Sequence, residues 1–388
     1  MISSSPRLLL LAAAVAFLSY TGADSDFSVS SSSTESVDSS IEHVSFVKEW
    51  TLTATNTHDN NTANDDDDDG DSNDDSSDDG DDKIDSIKLQ LPGRVFVSYV
   101  SGLPSGVLGY VNVSGDSQAV VETVKVNSND DDEELEVKYD SSSSSTSSGY
   151  LLTEIFLATS GIVDDVEIES TAAVVIEDGV LASSNTNKEV QIKASDSSVV
   201  YISNSAMSVK DLKLELSDSA TLQLTTDSIT IREDGQFQAH DTSSIAVITS
   251  SIKVNDLDLD AENSGTICIS ADEVTASSYD GEEASKISLP NASSKYTATG
   301  SLSCTEASAP SRAPGCISSS ACSSSSSTSS TSTPSTSTAT SAPSASTTTS
   351  SSSGVKTSEQ TSDTAASFNK QHLAAMTLLT GLLAAACM

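Results

Sequence analysis

Aromatic residues make up only 4% of the 388-residue chain, with one tryptophan, and 18 Lys+Arg stand against 57 Asp+Glu for a net charge of -39. Shortage of base excludes a class of partner. Nucleic acid is held by Lys/Arg clusters that release counterions; no such cluster occurs, so no nucleic-acid partner is expected. An anionic lipid surface is disfavoured on the same ground. A hydrophobic fraction of 36% beside this charge means that part of the chain cannot bury enough apolar surface to fold. Cysteine is scarce too, at five, and no CxxC spacing suggests zinc.

Long apolar runs are confined to the two ends. Residues 1–23 combine Arg7, an apolar stretch from Leu8 to Leu18 and the small-residue exit Thr21-Gly22-Ala23. This is the layout of a secretory signal peptide cut after Ala23, and the run is too short for a membrane span. At the other end Leu373–Met388 is apolar with no basic residue after it, behind a polar spacer and the small cluster Ser362-Asp363-Thr364-Ala365. Small residues, spacer and short tail make a GPI-attachment signal. Lipid attachment is expected at Ser362 or Asp363, with 363–388 removed. Cys268, Cys304, Cys316 and Cys322 then remain, an even number in an oxidising compartment. Of three pairings, Cys268–Cys304 with Cys316–Cys322 is favoured by proximity. Sequons place candidate glycans on Asn60, Asn112 and Asn291.

Two segments read as low complexity. Residues 24–83 are an acidic Ser/Asn/Asp-rich region expected to be disordered. Asp65-x-Asp67-x-Asp69-Gly70 opens like an EF-hand loop, but position 12 is Ser76 in place of Glu, so a solvated acidic run is the better reading. HVSFVKEWTL (43–52), which holds the only Trp, reads as a stray strand. Residues 305–362 read by composition as a Ser/Thr-rich, O-glycosylated stalk, extended at up to ~3.1 Å per residue.

That leaves 84–304 as the part able to build a core. It alternates apolar and polar residues in short runs such as Arg94-Val-Phe-Val-Ser-Tyr99, the signal of β-strands. No helical period is evident. Superposed segments show a repeat: Ile192, Leu214, Phe237 and Leu259 align, as do Ala194, Leu216, Ala239 and Ala261. After a turn, Val200, Leu222, Ile245 and Ile267 align, then Ile202, Leu224, Val247 and Ile269. Their offsets are 22, 23 and 22 residues, and Val166–Ile176 is a poorer copy. A fixed period with strand–turn–strand inside each unit indicates an all-β fold, a β-solenoid with coils of about 22 residues that stacks equivalent residues ~4.8 Å apart. A β-sandwich would not require the equal spacing. Aliphatic stacking also explains how a core forms with so few aromatics. The turns carry Asp196-Ser197, Asp218-Ser219, Asp241-Thr242 and Asn263-Ser264, good turn chemistry through side-chain-to-backbone bonds. A calcium ladder is the lesser reading, because the Gly-Gly-x-Gly-x-Asp pattern is missing.

The strand–Pro/Gly turn–strand opening IDSIKLQLPGRVFVS (84–98) and the repeat DLKLELSDSATLQL (211–224) resemble the auto-transporter adhesin head GIN domain family, a domain of unknown function. Asp or Asn stands where that family often has Gly. The resemblance spans roughly 84–300 and implies a β-solenoid with a cell-surface or adhesion-like role; it supplies no catalytic residues.

Catalytic groups do not assemble from the sequence. A nucleophilic triad needs a base, and His240 is the only histidine of 84–304, between Ala239 and Asp241 with no GxSxG nearby. Carboxylates for glycoside hydrolysis are abundant, but no pair stands out. The expectation is therefore a non-enzymatic, GPI-anchored surface protein with an adhesin-like or cell-wall structural role. It needs no cofactor or metal, and its partners are extracellular glycans or cell-surface proteins. A carbohydrate-active β-helix enzyme is the alternative.

Overall fold

Alternating apolar residues of the repeat turn inward, and coil stacks on coil in parallel register. A computed structural model of the chain describes residues 27–55, 83–129, 133–140, 148–281, 285–289 and 304–317, all within one compact unit. Ile192 pairs with Leu214, Leu214 with Phe237 and Phe237 with Leu259. Val200, Leu222, Ile245 and Ile267 form the matching file on the second sheet. These eight side chains are at most 2% exposed. The fold is the expected all-β solenoid. The 23-residue interval is accommodated at a register shift between Ile231 and Asp234, where one extra residue bulges out of the ladder. From Met207 onward each coil gains a third short side, with 207–209 pairing to 229–231, then 252–254 and 274–276.

Coils continue upstream of the recognised repeat, but out of chain order. Ser86–Gln90 and Arg94–Tyr99 pair on one side with Asp165–Ser170 and Ala173–Ile176. On the other side they pair with Glu134–Tyr139 and Tyr150–Leu157, which come later in the chain. The Pro92-Gly93 turn joins the first two strands. Gly93 has φ of 92°, and a Cβ there would lie 2.7 Å from the Leu151 carbonyl oxygen, so only glycine fits.

Beyond Tyr150–Leu157 the pairing becomes antiparallel and closes the end of the stack. Val107–Gly115 runs antiparallel to Tyr150–Leu157 on one edge and to Phe46–Ala54 on the other, and Phe27–Ser31 pairs with Phe46–Ala54. One short helix, Gln118–Thr123, packs Val120 and Val121 into this cap; Ser117 caps it by accepting from the Val120 N–H. The sequence carried no helical period because six residues are too few to show one.

Two expected boundaries therefore shift. Residues 27–55 fall in the segment read as disordered, yet Phe27, Trp50 and Leu52 are 1%, 4% and 0% exposed within the core. Glu49, Thr51 and Thr53 flank the buried Trp50 and Leu52 on a strand, so the Ser/Thr-rich composition hides a period-2 face. Residues 304–317, read as the end of the head and the start of the stalk, are packed on the head. The expected signal peptide at 1–23, the EF-hand-like run at 65–76 and the chain after 317 lie outside the described residues.

Candidate functional surface

Because strands point alternate residues outward, each sheet presents files of side chains running along the stack. On the first sheet one file reads Glu136, Lys88, Glu167, Lys193, Glu215 from the cap outward, followed by Gln238 and Asp260. Acid and base alternate over the first five. Lys88 Nζ lies 2.8 Å from Glu167 Oε2 and 3.8 Å from Glu169 Oε1. The bond to Glu167 raises the Lys88 pKa, and Lys88 in turn holds the Glu167 carboxyl below its usual range. Lys213 engages Glu215 at 3.2 Å. Toward the last coils the balance is lost: Asp258 pairs in register with Asp280, and both follow Gln236. A hollow of about 160 Å³ on this sheet is lined by Glu167, Glu169, Lys193, Ser195, Glu215 and Ser217.

The Asp/Asn-Ser turns form one corner of the stack. Asp196, Asp218, Asp241 and Asn263 have φ of 60°, 56°, 58° and 52°, the left-handed region that Asp and Asn tolerate best after Gly. Each is followed by an exposed Ser or Thr and then by a buried small residue: Ser198, Ala220, Ser243 or Gly265. The carboxylates reach between coils. Asp218 Oδ2 accepts from the Asp196 N–H at 3.3 Å, Asp241 Oδ2 from the Asp218 N–H at 3.4 Å, and Asp241 Oδ1 from Asn263 Nδ2 at 3.2 Å. Backbone donors thus take up the charge that stacked carboxylates would otherwise oppose to one another. Among the described residues no cluster of three or more His, Cys, Asp or Glu is arranged to hold a metal.

The outer face of the second sheet is covered. Cys268 and Cys304 form a disulfide with Cα atoms 5.4 Å apart, one of the pairs favoured from sequence. Cys316 is also disulfide-bonded; Cys322 lies outside the described residues. Between Cys304 and Cys316 the chain lies along the sheet. The Ala307 N–H donates to Gln223 Oε1 at 2.7 Å, and Gln223 Nε2 returns a bond to the Ala307 carbonyl at 3.1 Å. Arg94 donates to the Ser311 and Ala313 carbonyls. Arg312 donates to Glu154 Oε1 (3.1 Å), Ser98 Oγ (2.8 Å) and Glu177 Oε1 (2.7 Å), with its guanidinium 4.9 Å from the Phe96 ring centroid. Burial raises the Glu154 pKa, and Arg312 opposes that shift. Composition reading missed this segment. Its signal was a lone arginine between Pro310 and Pro314, followed by Gly315-Cys316, within a stretch otherwise of Ser, Thr and Ala.

Residues considered for catalysis do not converge. His240 points outward, with Nδ1 3.3 Å from Glu262 Oε2. Four carboxyls, Asp85, Glu133, Asp164 and Asp165, gather near the first coils. Burial, then the Asp164 charge, raises the Asp85 pKa, and burial raises Asp165. Lysines sit among them: Lys188 Nζ is 2.5 Å from Asp164 Oδ2, and Lys83 Nζ is 3.9 Å from Glu133 Oε2. Of the sequon residues, Asn112 occupies the middle of an antiparallel strand between Glu49 and Glu154, with Oδ1 buried and unbonded. Asn60 and Asn291 lie outside the described residues, as do Ser362 and Asp363.

No family model matches the chain and no curated protein matches it, so the head GIN resemblance rests on the motifs at 84–98 and 211–224. Solved structures show likeness, three of them as follows. A "putative adhesin" from Bacteroides fragilis has 14% identity and a TM-score of 0.33, covering 51% of this chain and 89% of that one. A "putative adhesin" from Parabacteroides merdae has 15% identity and a TM-score of 0.29, covering 52% and 90%. A "putative cell adhesion protein" from Clostridium sporogenes has 12% identity and a TM-score of 0.22, covering 50% and 94%. Scores this low carry no argument about function; the chain's own geometry establishes a capped β-solenoid whose polar side chains are spread along extended faces.

Proposed function

We propose that this is a secreted, GPI-anchored surface protein whose solenoid head acts through a non-catalytic outer face, as an adhesin or a structural element of the cell wall. The observation that carries the reading is the distribution of charge on the first sheet. Glu136, Lys88, Glu167, Lys193 and Glu215 follow one another in register along one outer file, with ion pairs Lys88–Glu167, Lys138–Glu136 and Lys213–Glu215 spread over successive coils, and do not converge on one point. Catalysis needs a nucleophile, base and stabilising donors around a common reacting atom. An extended repeat face instead offers many weak, regularly spaced contacts to an extended partner such as a glycan chain or a surface protein. Glu167, which borders the hollow on this face, is held low by Lys88, the opposite of what a general acid for glycoside hydrolysis requires. Secretion and lipid attachment at Ser362 or Asp363 rest on the terminal sequence signals, and glycans on Asn60, Asn112 and Asn291 on their sequons.

A glycan array probed with the recombinant protein, beside a reducing-sugar assay on the same polysaccharides, tests the reading. Binding without release of reducing ends is the expected result. Failure to bind any glycan or cell surface would sink the adhesin role, and turnover would establish the carbohydrate-active alternative, for which the raised carboxyls Asp85 and Asp165 are the place to look. Treating cells with a phosphatidylinositol-specific phospholipase should release the protein; complete retention would refute the anchor.

A further inference from the structure

A solenoid holds each coil chiefly through its two neighbours, so its terminal coils fray and its cooperativity decays along the stack. Here one end carries the antiparallel cap, and the segment 304–317 reaches from the other end back to that cap. Its first residue is joined covalently to Cys268, which lies on a late coil in register with Ala246 and Ser288. Its middle is held to Gln223 by two hydrogen bonds. Its far end adds Gly315–Cys316 antiparallel to Leu151 and Tyr150, and the Ile317 N–H donates to the Gly149 carbonyl at 3.0 Å. Arg312 spans three coils at once, bonding Glu154, Ser98 and Glu177.

An apolar strip lies on the same face. Phe96, Leu152 and Val175 are outward by strand alternation, since Val95, Val97, Val174 and Ile176 fill the interior. They are nevertheless only 3%, 4% and 7% exposed, and Tyr201 packs beside them. Arg312 stacks over this strip, on the rings of Phe96 and Phe156. The segment crosses this apolar patch on its way from the Cys268 coil to the cap.

We propose that residues 304–317 are a strap that closes the linear stack into a single cooperative unit by tying its late coils to its cap, and that the strap seals the apolar strip of Phe96, Leu152 and Val175. A coil pulled away at the Cys268 end must then also break the Arg312 cluster and the Gly315–Cys316 pairing. The inference concerns the head alone and stands whether or not the protein is anchored or adhesive.

Hydrogen exchange followed by mass spectrometry on the full secreted chain tests it. In the native protein, peptides from 244–281 and from 86–99 should exchange through one common opening. In Cys268→Ser/Cys304→Ser, protection of 266–281 should fall at least about tenfold while 86–99 stays protected, which splits the single opening into two. In Arg312→Ala, the peptides containing Phe96, Leu152 and Val175 should lose protection and a dye specific for apolar surface should bind, with Cys268–Cys304 intact. If the cysteine variant is not secreted, native protein reduced by a dithiol and alkylated, which opens the Cys316 disulfide as well, should likewise lose protection at 266–281. Unchanged protection of 266–281 after loss of the disulfide, or no dye binding in Arg312→Ala, would overturn the proposal.

Discussion

Between residues 190 and 281 the core is a set of ladders, each rung apart from Phe237 an aliphatic residue lying over its equivalent one coil away, and one corner of each coil repeats the same left-handed Asp or Asn. Between residues 27 and 157 the core is built from strands distant in sequence. The antiparallel cap there uses Phe27 and Trp50, and the coils lie out of chain order. The two regions also handle charge differently. In the repeat Asp218 and Asp241 accept backbone N–H groups and Glu215 pairs with Lys213, whereas Glu49, Asp85 and Glu154 between residues 27 and 157 are covered enough for burial to raise their pKa values. Repetition allows a core to be assembled from local, near-identical units. Termination requires long-range contacts, larger side chains and partly buried carboxyls.

Substitution in the cap should separate the two regions most strongly. Trp50→Ala should lose about 3–5 kcal/mol, and Leu214→Ala in the ladder about 2–5 kcal/mol, as read from urea unfolding. If the cap only decorates a self-sufficient stack, Trp50→Ala will leave the main transition in place. At the corner, Asp218→Val forces a β-branched residue into φ near 56° and removes the acceptor of the Asp196 N–H. It should cost on the order of 1–3 kcal/mol, with Asp218→Asn close to neutral. A calcium ladder would instead make Asp218→Asn costly as well, since Asn forfeits the bridging charge, and calcium would then raise the melting temperature of the native protein but not of Asp218→Asn.

Thr153→Val probes the boundary between the regions. Thr153 lies in the inner file between Val113 and Val95, is 0% exposed, and its hydroxyl has no hydrogen-bond partner. Valine keeps the shape and removes the orphaned polar group, so stability should rise by about 1–2 kcal/mol. A loss would show that the hydroxyl is satisfied.

The smallest effect is expected from pH. Glu49, Asp85, Glu154 and Asp165 have folded pKa values above their ordinary 4.5 and 3.8, so the folded state binds protons more tightly than the unfolded chain. Stability from these groups therefore rises as pH falls through their folded pKa values. Glu167, held low by Lys88, acts in the opposite sense: its contribution is present above 4.5 and lost as pH falls through its lowered value. Unfolding midpoints should climb as pH falls through the raised values toward the ordinary 4.5 and 3.8, and below 4.5 the loss from Glu167 should oppose that gain. Exchange should assign the gain to the cap and first coils, and a uniform change along the stack would count against the contrast drawn here.

How much was legible in the residues follows the same division. Ile192, Leu214, Phe237 and Leu259 could be superposed on paper because a coil's inward positions recur at a near-fixed interval, and the turn role of Asp196 or Asp218 followed from their place between two such runs. The strand at 46–54 was visible as a local alternation, but its membership in the core was not, because its partners are Val107–Gly115 and Phe27–Ser31. Arg312 was equally opaque. Its partners Glu154, Ser98 and Glu177 are separated from it by 158, 214 and 135 residues.

Local periodicity and turn chemistry therefore sufficed for the solenoid, its coil length, its aliphatic core and the scarcity of base that argues against anionic partners. Coil order at 84–157, the cap, the strap and the pairing of acids with lysines along the outer face were decided only by tertiary structure. Each depends on contacts between residues far apart in sequence, and a period of 22 residues holds no information about those.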